Sequence, residues 1–496
     1  MAPVNASPLT PKNIFFIAAE ADPFIKVGGL GDVVGSLPLA LRALEAEAIG
    51  GYTLDIRLAL PFYPALHHQF PHPQPVAQLA IPHAAGALTA DVYQTTLGSD
   101  VPVYLIDGPP IHADPMVYGP NPRLLVEKFA FFSLAALELT RQIHWLPDVF
   151  HAHDWHAALV VHALRQQRKA GSFFAACRSL LSINNLPYMG VEAQQILEGY
   201  GLPPASGPRL PDWARWLPLP MGLAAADRIV AVSPTYAREI TTPAFGCGLE
   251  KYLKARQKTL GGIVNGLDTS QWDPTTDKAL VATFSSDHLE QRLPNKRALL
   301  KAFSLNPDPH LPLMIFIGRM ESQKGIDLAI EGLRQVSDQP WQAIFLGTGD
   351  PALEAAVLQM EQEFPGRFRA AIRFDAQLAR QMYAAADMLL MPSRYEPCGL
   401  AQMIAMRYGC IPVAHATGGL KDTIRDDPAR ASSTGFLFDA PSAEGLAQAL
   451  GRALDAYADP DAWQKIQKNA MQSDFSWRRS ALEYAHLYLK LGEKMS

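Results

Sequence analysis

Two stretches near the start decide the class of fold: Asn13-Ile14-Phe15-Phe16-Ile17-Ala18-Ala19 and, shortly after, Lys26-Val27-Gly28-Gly29-Leu30-Gly31-Asp32-Val33. The first is a continuous apolar run, the pattern of a parallel strand covered on both faces. The second reads as a turn into a helix start, where backbone N–H groups attract anions. The same Gly-Gly-Leu-x-Asp recurs in Ala416-Thr417-Gly418-Gly419-Leu420-Lys421-Asp422-Thr423. In each copy an apolar run precedes the glycines and helix-compatible residues follow, so both read as strand, tight turn, helix. Either pair alone is also what a sharp βα turn needs; two copies, with Lys26 beside one, favour phosphate. The pair predicts two Rossmann-like halves facing one cleft.

The apolar pattern continues through the chain. Strands are expected at Asp55–Leu60, Val101–Ile106, Val149–His151, Leu180–Ile183 and Arg228–Val232, then at Leu313–Ile317, Ala343–Leu346, Met388–Met391 and Ile411–Ala414. Helical stretches such as Leu124–Gln142 and Ala157–Arg168 lie between them, so the alternation is βαβ and the class is α/β. Pro-rich breaks at Leu202–Pro211 and Pro307–Pro312 mark loops. At 496 residues the chain exceeds one core. The expected organisation is residues 1–258, residues 259–472 opening near Gly261-Gly262-Ile263-Val264, and residues 473–496 as a terminal helix. Met1 to about Pro11 reads as a frayed leader.

With 48% hydrophobic and 18% charged residues and a net charge of −5, the composition is that of a globular protein rather than a nucleic-acid binder. Lys and Arg form only short pairs such as Lys296-Arg297 and Arg478-Arg479. No apolar stretch reaches the roughly 18 residues of a membrane helix, and no signal-peptide pattern precedes the first strand. Neither nucleic acid nor membrane is an expected partner. Four cysteines, Cys177, Cys247, Cys398 and Cys410, lack zinc-site spacing, so a reducing cytoplasm fits best.

Four segments carry candidate chemistry. Lys26 either holds a phosphate by charge or is a solvated loop lysine. In Gly318-Arg319-Met320-Glu321-Ser322-Gln323-Lys324-Gly325-Ile326-Asp327, Arg319 and Lys324 follow a strand, at the end where open α/β sheets bind ligands. Two fixed cations there suit a diphosphate whose charge grows as a bond to a sugar breaks; the plainer reading is two solvated loop cations. In Ser393-Arg394-Tyr395-Glu396-Pro397-Cys398-Gly399-Leu400, the turn holds Glu396 at the crevice and Gly399 and Leu400 start a helix. Glu396 either accepts from sugar hydroxyls or stabilises charge at an anomeric carbon, and a helix-capping glutamate is the alternative. Cys398 reads as a packed thiol. The alternating histidines of His151-Ala152-His153-Asp154-Trp155-His156 invite a metal reading, but no further ligand stands at convincing spacing. His153 suits a sugar hydroxyl or the reacting centre, Asp154 a helix cap and Trp155 the core.

These segments, in this order, resemble the bacterial glycogen synthase and plant starch synthase family, over nearly the whole chain from Asn13 to the terminal helix. Further matching stretches are Ala231–Ile240, Val264–Asp268, Gly347-Thr348-Gly349-Asp350 and Thr417–Thr423. The resemblance implies the GT-B architecture of two Rossmann-like domains facing one interdomain cleft. It implies retaining transfer of glucose from ADP-glucose to the non-reducing end of an α-1,4-glucan such as glycogen, with no cofactor and no metal. By the same resemblance Lys26, Gly28 and Gly29 contact the donor's distal phosphate and glucose, with Asp32 nearby. Arg319 and Lys324 neutralise the pyrophosphate; Glu396, Cys398, Gly399 and Leu400 hold glucosyl unit and phosphate. His153 sits at the glucose 6-hydroxyl or reacting face, Asn265 faces the sugar, and Thr417, Gly418 and Gly419 lie beside phosphate and glucose.

The second acid of a Glu-x7-Glu pattern, common in relatives of this fold, is Ile404 here, as is usual among synthases. Two departures fall in the N-terminal domain, which the resemblance implies meets the acceptor. Asn184-Asn185 stands where the family usually has His-Asn, and Leu124 aligns with a family Asp. They motivate an alternative, a GT-B transferase using another donor, such as UDP-glucose, or an oligosaccharide acceptor.

Overall fold

Ile14, Phe15, Phe16 and Ile17 are completely buried, as a strand with helices on both faces requires. The computed structural model describes residues 10–169, 171–429 and 431–492. The expected leader lies outside these residues except for Thr10 and Pro11, which open the first strand. The chain divides into two compact units, one running to Gly266 and resuming at Trp477, the other Leu267–Ser476.

The first unit is built on strands β1 (Thr10–Ile17), β2 (Tyr52–Pro61), β3 (Gln74–Ile81), β4 (Leu88–Leu97), β5 (Val101–Asp107), β6 (Val149–His153), β7 (Arg178–Ile183), β8 (Arg228–Ala231) and β9 (Leu260–Gly262). Their order in the sheet is β3-β4-β5-β2-β1-β6-β7-β8-β9. From β5 to β9 all neighbours are parallel, while β3 and β4 add an antiparallel ribbon at one edge. The helix Trp477–Gly492 packs on the helix Gly29–Arg42. The Tyr488 hydroxyl lies 2.8 Å from His151 Nδ1, and Ser480 Oγ donates to the Val264 carbonyl at 2.6 Å.

The second unit holds β10 (Leu313–Ile317), β11 (Gln342–Gly347), β12 (Phe368–Ile372), β13 (Met388–Met391), β14 (Ile411–His415) and β15 (Phe436–Phe438), ordered β12-β11-β10-β13-β14-β15 and parallel throughout. This is the doubly wound order, reversing between β10 and β13; the first sheet reverses likewise between β1 and β6.

Every expected strand is present, and five more appear. β3 and β4 have half-exposed faces, β12 is an edge strand, and β9 and β15 are three residues each, so none carries a long buried run. The expected boundary at 258/259 falls within the first unit because Leu260–Gly262 pairs with β8. Residues 473–476 stay with the second unit, where the Leu267 N–H donates to the Phe475 carbonyl at 2.7 Å, and the terminal helix begins at Trp477.

The two glycine turns also differ. The second is tight, with β14 ending at His415 and a helix over Gly418–Thr423. The first is not: residues 18–28 separate β1 from the helix Gly29–Arg42. That segment is a closed loop, with Ala21 and Ile25 exchanging backbone hydrogen bonds at 3.0 Å and the Asp22 N–H donating to the Gly31 carbonyl.

Candidate active site

At the reversal of the first sheet, β1 runs straight into Ala18-Ala19-Glu20, and Glu20 is only 1% exposed. Its Oε2 accepts from the Gly28 N–H at 3.0 Å and from the Val27 N–H, and its Oε1 from the Tyr118 hydroxyl at 2.9 Å. A buried carboxylate with three donors anchors the Lys26–Gly29 loop. Burial and the Glu20 charge together hold the Tyr118 hydroxyl well above its ordinary pKa. The Lys26 ammonium lies 2.5 Å from Asp32 Oδ1 and 3.8 Å from Asp22 Oδ2. Burial raises the Asp32 pKa and Lys26 pulls it back. Beside this pair the backbone is open: nothing lies within 4 Å of where a Gly29 Cβ would be, and Val27 is 62% exposed.

The neighbouring strand β6 ends at His153, which is fully buried, stacked on Phe16 (5.5 Å between centroids) and 4.2 Å from His151. Neither His153 ring nitrogen has a hydrogen-bond partner, and burial lowers its pKa to about 3, so the ring is neutral. Asp154 does not cap the following helix. It takes φ 56°, and its carboxylate accepts the N–H groups of Asn184 (2.7 Å) and Asn185 (3.3 Å), joining the ends of β6 and β7. Burial raises its pKa to about 7 against those donors. Asn185 Oδ1 is buried without a partner. Trp155 is core, edge-on to Phe129, and Leu124 is half-buried in the first turn of the helix Pro122–Gln142. Asn265, expected beside the sugar, follows β9 with its Oδ1 buried and unpartnered.

In the second unit the ends of β10 and β13 come together. Gly325 takes φ 67°, and a Cβ there would lie 2.1 Å from the Pro392 carbonyl oxygen, so only glycine lets the turn sit against the end of β13. The Arg394 N–H donates to the Gln323 carbonyl at 2.8 Å, and the Arg394 guanidinium grips Asp327 through both carboxylate oxygens at 2.9 and 2.6 Å. This stitching sets Lys324 Nζ 2.6 Å from Glu396 Oε2, which also accepts from Ser393 Oγ at 3.0 Å. Glu396 is 6% exposed. Arg319 joins neither group; it pairs with Glu321 at 2.7 Å on the surface, its side chain 56% exposed.

The second glycine pair abuts Glu396 directly. A Cβ on Gly418 would lie 1.9 Å from the Glu396 carbonyl oxygen and one on Gly419 2.1 Å from that of Cys398, while the Gly419 N–H donates to the Glu396 carbonyl at 3.0 Å. Thr417, 1% exposed, is the extended N-cap residue of that helix. Cys398 is buried, and Gly399 takes φ 75° ahead of Leu400, the N-cap of the helix Ala401–Arg407.

Lys26, Gly28, Gly29, Asp32, His153 and Asn265 therefore lie on the first unit. Arg319, Lys324, Glu396, Cys398, Gly399, Leu400, Thr417, Gly418 and Gly419 lie on the second. Sequence reasoning passed over Glu20, Tyr118 and Ser393. Glu20 had one usable signal, a carboxylate placed directly after an apolar strand.

Two doubly wound sheets, each with charged groups at its point of reversal, define a class. The starch synthase catalytic domain model matches residues 13–255, and that of the group 1 glycosyl transferases matches residues 311–456. The catalytic domain of starch synthase IV from Arabidopsis thaliana, solved with ADP and acarbose, is 31% identical with a TM-score of 0.85, covering 98% of this chain and all of that one. Sucrose-phosphate synthase from Thermosynechococcus elongatus, 21% identical, shares the fold at a TM-score of 0.60, covering 97% of this chain and 99% of that one. The protein is thus a glycosyltransferase of GT-B architecture. Glycogen synthases from Syntrophotalea carbinolica and Lactiplantibacillus plantarum are 38% and 39% identical, covering 97% and 96% of this chain and 99% of each relative. The chain belongs to the glycogen synthase family.

Proposed function

We propose that this glycogen synthase uses ADP-glucose, adding glucose to the non-reducing end of an α-1,4-glucan with retention of configuration. The observation that carries the reading is the Lys324–Glu396 pair at the reversal of the second sheet, a cation and a carboxylate 2.6 Å apart and largely withdrawn from water. Such a transfer passes through an oxocarbenium-like state while a phosphate departs, so fixed positive charge near the leaving oxygen is worth most where water is excluded. Lys324 supplies that charge beside Glu396, and Arg319, exposed and paired with Glu321, adds a second cation from the surface. Glu396 accepts from sugar hydroxyls and offsets positive charge at the anomeric carbon, with Cys398, Gly399 and Leu400 shaping the turn around it and Thr417, Gly418 and Gly419 backing it.

On the first unit, Lys26 with Gly28 and the open backbone at Gly29 serves a phosphate and glucose, with Asp32 orienting the lysine. His153, neutral and without a protein partner, serves a sugar hydroxyl, and so does Asn265. Asn184 and Asn185 offer amides toward the glucan. Among the described residues no helix is long and apolar enough to cross a membrane. All four cysteines are free, which supports a cytoplasmic site of action.

The test is release of ADP when the pure chain is given ADP-glucose and a glycogen primer, with UDP-glucose run in parallel. Retention is read from the anomeric linkage of the lengthened chains. A protein that binds ADP yet releases none in the presence of primer defeats the proposal, and faster turnover of UDP-glucose defeats its choice of donor.

A further inference from the structure

Outside the groups just described, three side chains converge where β2 and β5 end side by side in the first unit. The short helix Pro64–His67 follows β2 and brings in His67; β5 ends at Asp107; and the helix Pro109–Ala113 brings in His112. One ligand atom from each lies within 4.8 Å of the others. His112 Nε2 is 2.7 Å from Asp107 Oδ1, and His67 Nε2 is 4.0 Å from Asp107 Oδ2.

We propose that His67, Asp107 and His112 form a binding site for a divalent transition metal of the zinc class, with water completing a tetrahedral shell. A tetrahedron with bonds of ~2.0–2.1 Å has edges of about 3.3 Å, and the two measured separations bracket that length. The donor set of two imidazoles and a carboxylate suits zinc better than magnesium or calcium, which take oxygen ligands.

Two further observations point to a cation. His67 Nε2 is buried and has no hydrogen-bond partner, although it faces the carboxylate. Asp107 also lies directly across the β4–β5 ladder from Asp91, whose side chain accepts only from the Gln78 amide at 2.8 Å. Among the described residues no Lys or Arg pairs with either carboxylate. Asp107 Oδ1 is oriented by the Gly108 N–H at 2.8 Å, and the His67 ring is held against Phe62, 4.3 Å between centroids. Half-exposed His112 admits the ion from solvent.

The site is a clip rather than a participant in transfer. It ties the loop after β2 to the loop after β5, and the β2 loop in turn supports the loop that carries Lys26. The Tyr63 hydroxyl donates to the Ala19 carbonyl at 2.8 Å, and Phe70 packs on Phe24 at 5.8 Å.

The test is a zinc titration of the full chain, free of any histidine tag and stripped with chelator, in competition with a chromophoric chelator. Cobalt substitution is run in parallel to read geometry from its visible bands. One equivalent of metal is expected, with intense tetrahedral cobalt bands. His112→Ala, an exposed change that leaves packing alone, is expected to weaken zinc by at least about 10-fold, and Asp107→Asn to do the same. His68→Ala, at the neighbouring histidine, is expected to leave affinity unchanged. Absence of a tight equivalent in the wild type, equal affinity in His112→Ala, or an equal loss in His68→Ala overturns the proposal.

Discussion

Replacing Gly419 by Ala tests the geometry of the second-unit site without touching any charge. An added Cβ would stand 2.1 Å from the Cys398 carbonyl oxygen, whereas real Cβ contacts essentially never fall below 3.0 Å. The Glu396–Cys398 turn must therefore retreat by about 1 Å, a displacement that costs a catalytic group on the order of 100-fold in rate. Retreat is resisted, because Gln402 Nε2 donates to the carbonyls of Cys398 and Gly399 at 3.0 Å and the Gly419 N–H holds the Glu396 carbonyl. Overpacking of this kind costs about 1–3 kcal/mol of stability as well. The expected result is a kcat/KM for ADP-glucose lowered by about 100-fold, in a protein whose circular dichroism is unchanged and whose Tm is a few degrees lower. The matched control is Gly451→Ala, in the interior of the helix Ala443–Tyr457 with nothing within 4 Å of the new Cβ. It should keep full activity and gain about 0.5–1 kcal/mol. If Gly419→Ala turns over within about threefold of the wild type at an unchanged Tm, the turn is not held as described and the argument fails.

Lys324→Met removes the cation beside Glu396 and is expected to lower kcat/KM by about 100-fold or more and to weaken ADP; Glu396→Gln should lower kcat while ADP still binds within a few-fold. Equal effects of the two changes on ADP affinity would contradict the separate roles. Glu20→Ala leaves the N–H groups of Val27 and Gly28 and the Tyr118 hydroxyl without their acceptor, at about 1–3 kcal/mol for each group left buried. Amide exchange at Val27 and Gly28 should then quicken by at least about 10-fold, and unchanged exchange counts against Glu20 as the anchor. Asp154, with a folded pKa of about 7 against an ordinary 3.8, holds its proton more tightly folded than unfolded. Its contribution is thus complete below about pH 4 and drains away as pH rises to 7. The stability of wild type relative to Asp154→Asn should fall by about 2 kcal/mol between pH 5 and pH 7 in urea unfolding, and a flat difference refutes the shift.

The fold was legible where burial on both faces writes itself into the chain. Leu313–Ile317 and Met388–Met391 match their strands residue for residue, since each is a central strand with no polar face. β3 and β4 were silent because their faces alternate between ribbon and solvent, and a three-residue strand such as β15 is too short to show a period. Within the site, Lys324 and Glu396 were recoverable because each follows a strong apolar strand, and the sheet order then brings those strands side by side. His67, Asp107 and His112 were not, because their proximity depends on β2 and β5 being neighbours in the sheet, and no local spacing encodes that.

The repeated Gly-Gly shows most clearly what local sequence leaves open. A glycine is required either where something must approach the backbone or where the backbone must be left bare, and the letters are the same in both cases. At Gly418 and Gly419 the approaching group belongs to the protein itself, the Glu396–Cys398 backbone, and Gly419 spends its N–H on the Glu396 carbonyl. At Gly29 no protein atom comes within 4 Å of the Cβ position, while the neighbouring Gly28 N–H is held by Glu20 so that the loop keeps its shape. The second pair thus shapes the carboxylate's turn, while Gly29 in the first leaves its backbone uncovered by protein. Alanine at Gly29 is accordingly expected to leave its loop undisturbed, whereas alanine at Gly419 is a question for the fold of the site itself.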